Sequence, residues 1–115
     1  MKTILLGLVL TLGLSAQAPM RIGGNVMQAS LLKKVAPAYP SEMKAQGLEA
    51  AVVLEVRISA EGVPESINVQ SADVNKVFSG AAIDAVKEWR YKPVLLNGQP
   101  VAVITTVTVN FTLAR

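Results

Sequence analysis

Between residues 51 and 59 every second position is apolar: Val52, Leu54, Val56 and Ile58 share one face, Glu55, Arg57 and Ser59 the other. That period of two predicts a half-buried strand from Ala51 to Ser59. Glu61-Gly62 makes a turn, and Ser66 to Ser71 returns with Ile67 and Val69 inward, so a β-hairpin is expected. Pro64 assigns the start of the second strand to an edge or a bulge. After Asn75, a plausible N-cap, the period lengthens: Phe78, Ala82, Ala85, Val86 and Trp89 recur at spacings of three and four and predict an amphipathic helix. Tyr91 falls out of that period, and Pro93 lacks the amide hydrogen a continuing helix needs. Trp89-Arg90-Tyr91-Lys92-Pro93 is therefore a joint, with Trp89 as the packing anchor and Tyr91 and Pro93 as structural residues. Asn97-Gly98 turns the chain into a second alternating run, Val101 to Leu113. Its inner face carries Val101, Val103, Thr105, Val107, Val109, Phe111 and Leu113; its outer face carries Ala102, Ile104, Thr106, Thr108, Asn110 and Thr112.

Upstream the pattern is weaker. Residues 19 to 36 show no sustained period and contain Gly23-Gly24-Asn25, which reads as a flexible lead-in with an ordered turn at Ala29 to Val35, a tether or a docking arm. Pro37-Ala38-Tyr39-Pro40 is extended by the restriction on residues before proline, and Pro40 suits the first position of a short helix over Ser41 to Gln46. Gly47 is its natural stop, and Gly62 serves the hairpin turn. The order of elements implies an α+β fold: an antiparallel sheet of about three strands with two helices packed on one face. The last strand is long and has no charged residue from Val101 to Ala114, although edge strands are normally blunted by charges, proline or bulges. Either it is central, or it is open to receive another strand.

The N-terminus changes the compartment. Lys2, the apolar run Ile4 to Leu14 and Ser15-Ala16-Gln17-Ala18 form the three parts of a secretory signal, and the run is shorter than the roughly 20 residues that cross a bilayer. The reading is a signal peptide over residues 1–18, a lead-in over 19–36 and one domain over 37–115, with a periplasmic destination. Pro19 after the cleavage site leaves a retained membrane anchor as the alternative. Without Lys2, ten basic residues face eight acidic ones, and Lys33-Lys34 is the one adjacent basic pair, which argues against nucleic acid as a partner. The chain has no Cys and no His, which removes disulfide bracing, the commonest proton shuttle and the commonest metal ligand.

Ala38-Tyr39-Pro40, the Gly47 stop, the Glu61-Gly62 hairpin, Ala81-Ala82, Trp89-Arg90-Tyr91-Lys92-Pro93, Gly98 with Pro100-Val101 and the terminal Val-Thr strand resemble, in order from Val35 to Leu113, the C-terminal domain of the TonB family. The resemblance implies a periplasmic module of energy transducers that serve outer-membrane receptors for iron-siderophore or vitamin B12 type substrates. It implies capture of a receptor segment, the TonB box, as an added strand. Carried onto this chain, the receiving edge runs over about Ile104 to Leu113, with Ile104, Thr106, Thr108, Asn110 and Thr112 at the partner and Tyr39, Pro40 and Arg90 near it. A full transducer also has a membrane-spanning helix and a long Pro-rich linker, and neither is evident here. The expectation is thus a free-standing binding module, not an enzyme, with a homodimer or envelope scaffold built on the same edge as the alternative.

Several residues carry a plain structural reading beside the functional one. Arg90 and Lys92 either meet a partner carboxylate or complement the negative end of the helix dipole. Tyr39-Pro40 is a docking corner or a rigid helix entry. Asp84 and Glu88, four apart, suit an acid/base pair in spacing, but they flank Lys87 on the polar side, which favours a solvated face. There is no phosphate loop and no metal-ligand spacing, so no cofactor is expected.

Overall fold

A computed structural model describes residues 19–71 and 74–114. The two alternating runs pair with each other. Strand β3 (Ala50–Ile58) lies antiparallel to β8 (Val103–Phe111), from Ala50 opposite Phe111 to Ile58 opposite Val103. Because the side-chain period of a strand is two, this register puts Val52, Leu54, Val56 and Ile58 on the same face as Val103, Thr105, Val107, Val109 and Phe111, and all nine are buried. Strand β4 (Pro64–Val69) completes the predicted hairpin on the outer side of β3, starting at Pro64 itself, with a register shift beside Ile58.

The helix expected after Asn75 is α3 (Lys76–Val86), and the Asn75 side chain accepts from the Val77 amide at 2.8 Å. Phe78, Ala82, Ala85 and Val86 form its buried stripe against the sheet. Helix α2 (Ser41–Ala45) ends one residue short of the expected Gln46, with Pro40 as its N-cap rather than its first helical residue. It ends in a Schellman closure: Gly47 has φ +69°, its amide donates to the Lys44 carbonyl at 3.0 Å, and the Leu48 amide donates to Met43 at 2.9 Å.

Three expectations change. The sheet has four strands in the order β1-β8-β3-β4, because β1 (Met20–Arg21) adds to β8 in parallel. Residues 19–36, read as a flexible lead-in, hold β1, helix α1 (Gly24–Gln28) and strand β2 (Leu31–Lys33). Their missing period has a physical reason: each element is too short to show one, and α1 buries a single residue, Met27, at 1% exposure. The long last strand divides at Ala102. Its first part, β7 (Gln99–Val101), pairs with β6 (Val94–Leu96) across Asn97 (φ +54°) and Gly98 (φ +80°), whose positive φ angles suit a tight hairpin.

The joint after α3 holds the fold together. Trp89 is buried, and its indole N–H donates to the Val35 carbonyl at 2.8 Å. Strand β5 (Arg90–Tyr91) pairs antiparallel with β2. The Tyr91 amide donates to Gly62 at 2.9 Å, and the Lys92 amide donates to Ser30 at 2.8 Å. Gly62 has φ +89°, and a Cβ there would sit 1.9 Å from the Tyr91 carbonyl oxygen, so the β3–β4 turn and the joint meet at a glycine by necessity. Pro93 lies exposed just beyond, between β5 and β6.

Candidate functional site

In an antiparallel pair the backbone groups of successive residues point alternately toward the partner and away from it. On β8 the Ile104 carbonyl accepts from the Ile22 amide at 2.9 Å, which fixes the phase. Ile104, Thr106, Thr108 and Asn110 therefore present their amides and carbonyls to the edge away from β3, while Val103, Thr105, Val107, Val109 and Phe111 face β3. On the β3 side the Gln70 amide donates to Val53, opposite Thr108, and agrees with that phase. Beyond β1 no strand pairs with this edge among the described residues.

A groove of about 500 Å³ runs along the edge. Thr105 to Thr108 and Asn110 line one side; Gly24, Asn25, Met27 and Gln28 of α1, with Leu31, Lys34, Trp89 and Tyr91, line the other. Lys34 is the charged side chain among them, and its Nζ stands 5.5 Å from the centre of the Trp89 ring, within cation–π range. Thr105 is fully buried, and its Oγ1 makes no hydrogen bond to protein. Burial pushes the Tyr91 phenol up to about 12, from an ordinary value of 10.0. The arrangement is an uncharged, hydrogen-bonding strip facing a wall of mixed polar and apolar side chains, suited to an extended chain.

The residues singled out from sequence distribute unevenly around this groove. Thr106, Thr108 and Asn110 line it, with exposed side chains. Ile104 lies on the same edge, but β1 occupies its outward side. Thr112 is exposed just past the end of β8. Tyr39 sits elsewhere, edge-on to Phe78 and Phe111 with ring centroids 5.9 and 5.6 Å away, and its hydroxyl donates to the Leu48 carbonyl. Burial and the nearby Glu49 carboxylate raise its pKa. Pro40 caps α2 beside it. Arg90 directs Nη1 to the carbonyls of Lys87 and Trp89, at 3.0 and 2.6 Å, which is the helix-end role. Asp84 is exposed and pairs with Lys87 at 3.7 Å. No group of three or more His, Cys, Asp or Glu that could hold a metal ion occurs among the described residues.

On the lead-in side of the groove, from Gly24 to Lys34, the sequence marks only the turn expected at Ala29 to Val35; helix α1 escapes it because its one buried residue, Met27, carries no period.

The comparisons agree with this fold. A family model described as the Gram-negative bacterial TonB protein C-terminal matches residues 35–113. Protein TonB of Xanthomonas campestris pv. campestris is 32% identical over 77 residues, which cover 67% of this chain and 34% of that protein. Protein TonB of Vibrio cholerae is 29% identical over 80 residues, or 70% of this chain and 33% of that protein. The chain thus spans about a third of the length of these curated relatives. Among solved structures, the solution NMR structure of the Pseudomonas aeruginosa TonB C-terminal domain aligns with a TM-score of 0.64 at 26% identity, covering 74% of this chain and 86% of that one. The TonB2 protein from Vibrio anguillarum aligns with a TM-score of 0.58 at 35% identity, covering 88% and 95%. With the β3–β4 hairpin, the Trp89 joint and the uncharged final strand all inside the matched span, the chain belongs to the family of TonB C-terminal domains.

Proposed function

We propose that this chain is a periplasmic binding module, without catalytic activity, that captures an extended TonB-box-like segment of an outer-membrane receptor as an added strand on the free edge of β8. The observation that carries the reading is the groove-lined edge itself. Thr106, Thr108 and Asn110 turn their backbone groups outward, and no charge on β8 repels an incoming chain. Main-chain pairing supplies the grip, and the wall formed by Asn25, Gln28, Leu31 and Lys34, with the buried Met27, Trp89 and Tyr91 behind it, faces the segment's alternate side chains. Transport of iron-siderophore or vitamin B12 type substrates is the process this capture would serve. Residues 1–18, read as a signal peptide, lie outside the described residues, and no helix among those described is long and apolar enough to cross a membrane.

Titrating the ¹⁵N-labelled chain with a synthetic TonB-box peptide tests the reading. The expected result is saturable amide shifts at Thr106, Thr108 and Asn110. An unchanged spectrum at millimolar peptide rules it out. The same uncharged edge also suits a second copy of the chain, and sedimentation over a range of concentrations separates a homodimer from a monomer that awaits a peptide.

A further inference from the structure

The edge that receives a partner strand is already partly taken by the chain's own lead-in. Of its outward-facing residues, Ile104 pairs with β1, its carbonyl held by the Ile22 amide at 2.9 Å. Thr106 is covered next: Gly24 lies so close that a Cβ there would stand 2.3 Å from the Thr106 carbonyl oxygen. Thr108 and Asn110 remain clear of both. Two outward-facing residues are a short platform, since a strand in a folded protein typically runs to about five or six residues.

The hold is weak where it meets the edge and firm behind it. Strand β1 has two residues, both exposed. Its side-chain ties are the Arg21–Glu55 ion pair, 2.6 Å long, reaching across β8 to β3 with Arg21 61% exposed, where such surface pairs contribute little, and the adjoining Ile22, half-buried against the core. Met27, four residues past Gly23, is in the core, and Gly23, the N-cap of α1, marks where the two-residue strand gives way to the anchored helix.

We propose that Met20 to Gly24 form a latch on the β8 edge, hinged at Gly23 and anchored by Met27, which an incoming segment must displace to pair with Ile104 and Thr106. This rests on the strand-addition reading and adds its regulation: the module's affinity is set by competition with its own lead-in. Gly24 is required by the closed state, because any side chain there collides with the edge carbonyl.

Two variants, titrated with the same TonB-box peptide as the unaltered chain, test the latch. Arg21→Glu removes the ion pair and sets two acids together, and it is expected to tighten binding about threefold, the scale of one exposed pair. The double variant Arg21→Cys with Ile104→Cys places two thiols on directly opposed residues of neighbouring strands, within reach of a disulfide. The chain has no other Cys to compete. Oxidised, this variant is expected to bind at least about tenfold more weakly than the same protein reduced, because the competent state is withheld. Equal affinity in the two redox states, with the shifts still on β8, overturns the latch and leaves strand addition standing. Absence of binding in every form, Arg21→Glu included, overturns strand addition and the latch with it.

Discussion

Trp89 joins segments that are far apart in sequence. Its ring fills the core beside Val86, while its N–H reaches the Val35 carbonyl 54 positions earlier at 2.8 Å. Trp89→Phe keeps an aromatic ring but loses that hydrogen bond and part of the buried surface. It is expected to cost about 1–3 kcal/mol of stability, measured by urea unfolding. Tyr91, two residues on, makes a different prediction. Its folded pKa is raised to about 12 by burial, from 10.0. Between those values the unfolded chain has lost a proton that the folded chain retains. The stabilising contribution is therefore complete below pH 10 and falls away as pH rises toward 12. Melting temperature should drop over that window, and Tyr91→Phe should flatten the drop; an equally steep fall in Tyr91→Phe would assign it to other groups. Both residues stood out in the sequence, Trp89 by helical spacing and Tyr91 by falling out of it. Their distant partners did not, because a carbonyl that accepts a hydrogen bond leaves no mark on the residue that carries it.

Among the elements, the hairpin and the long helix were legible because each repeats its period several times and is bounded by Gly62 or Asn75. Strand β8 was legible in its faces but not in its length. Alternation runs unbroken from Val101 to Leu113, so nothing in the pattern shows that the chain changes partner at Ala102, leaving the β6–β7 ribbon for the main sheet. What the alternation does fix, once one hydrogen bond is known, is which amides face the groove, and this selects a proline substitution that isolates the edge. Val107 faces Leu54 of β3, so Val107→Pro breaks the core ladder. Thr108 faces outward, so Thr108→Pro removes one edge donor and leaves β3–β8 pairing intact. Thr108→Pro should unfold within about 1 kcal/mol of the unaltered chain yet bind a TonB-box peptide about tenfold more weakly, the scale of one lost main-chain hydrogen bond. Val107→Pro should lose most of its stability. Circular dichroism melts together with peptide titration check both, and undiminished binding by a folded Thr108→Pro would place the contact off this edge.

At the scale of the whole molecule, the folded unit is larger than the span that identifies the family. The family match begins at residue 35 and the domain boundary read from sequence lies at residue 37, yet the core includes Met27, and Trp89 is capped by Val35. Strand β2 pairs with β5, and the Ser30 carbonyl accepts the Lys92 amide. Residues 20 to 35 thus close one side of the structure and build one wall of the groove. Beyond the turn at Ala29 to Val35 they escaped the sequence reading because their order is borrowed: elements of two, five and three residues cannot hold a conformation without the surface they pack on. A chain starting at residue 35 should therefore be less stable than one starting at residue 19, by at least the about 2–5 kcal/mol that deleting one buried Met side chain costs. With a slope of about 1–3 kcal/mol per molar urea, the unfolding midpoint should fall by a molar or more. Trp89 fluorescence reports the transition directly. The shorter chain also has no latch, so whatever remains folded should expose Ile104 and Thr106 to fast amide exchange. Equal midpoints for the two chains would mean that the lead-in rests on a domain complete without it, and that the groove has only one permanent wall.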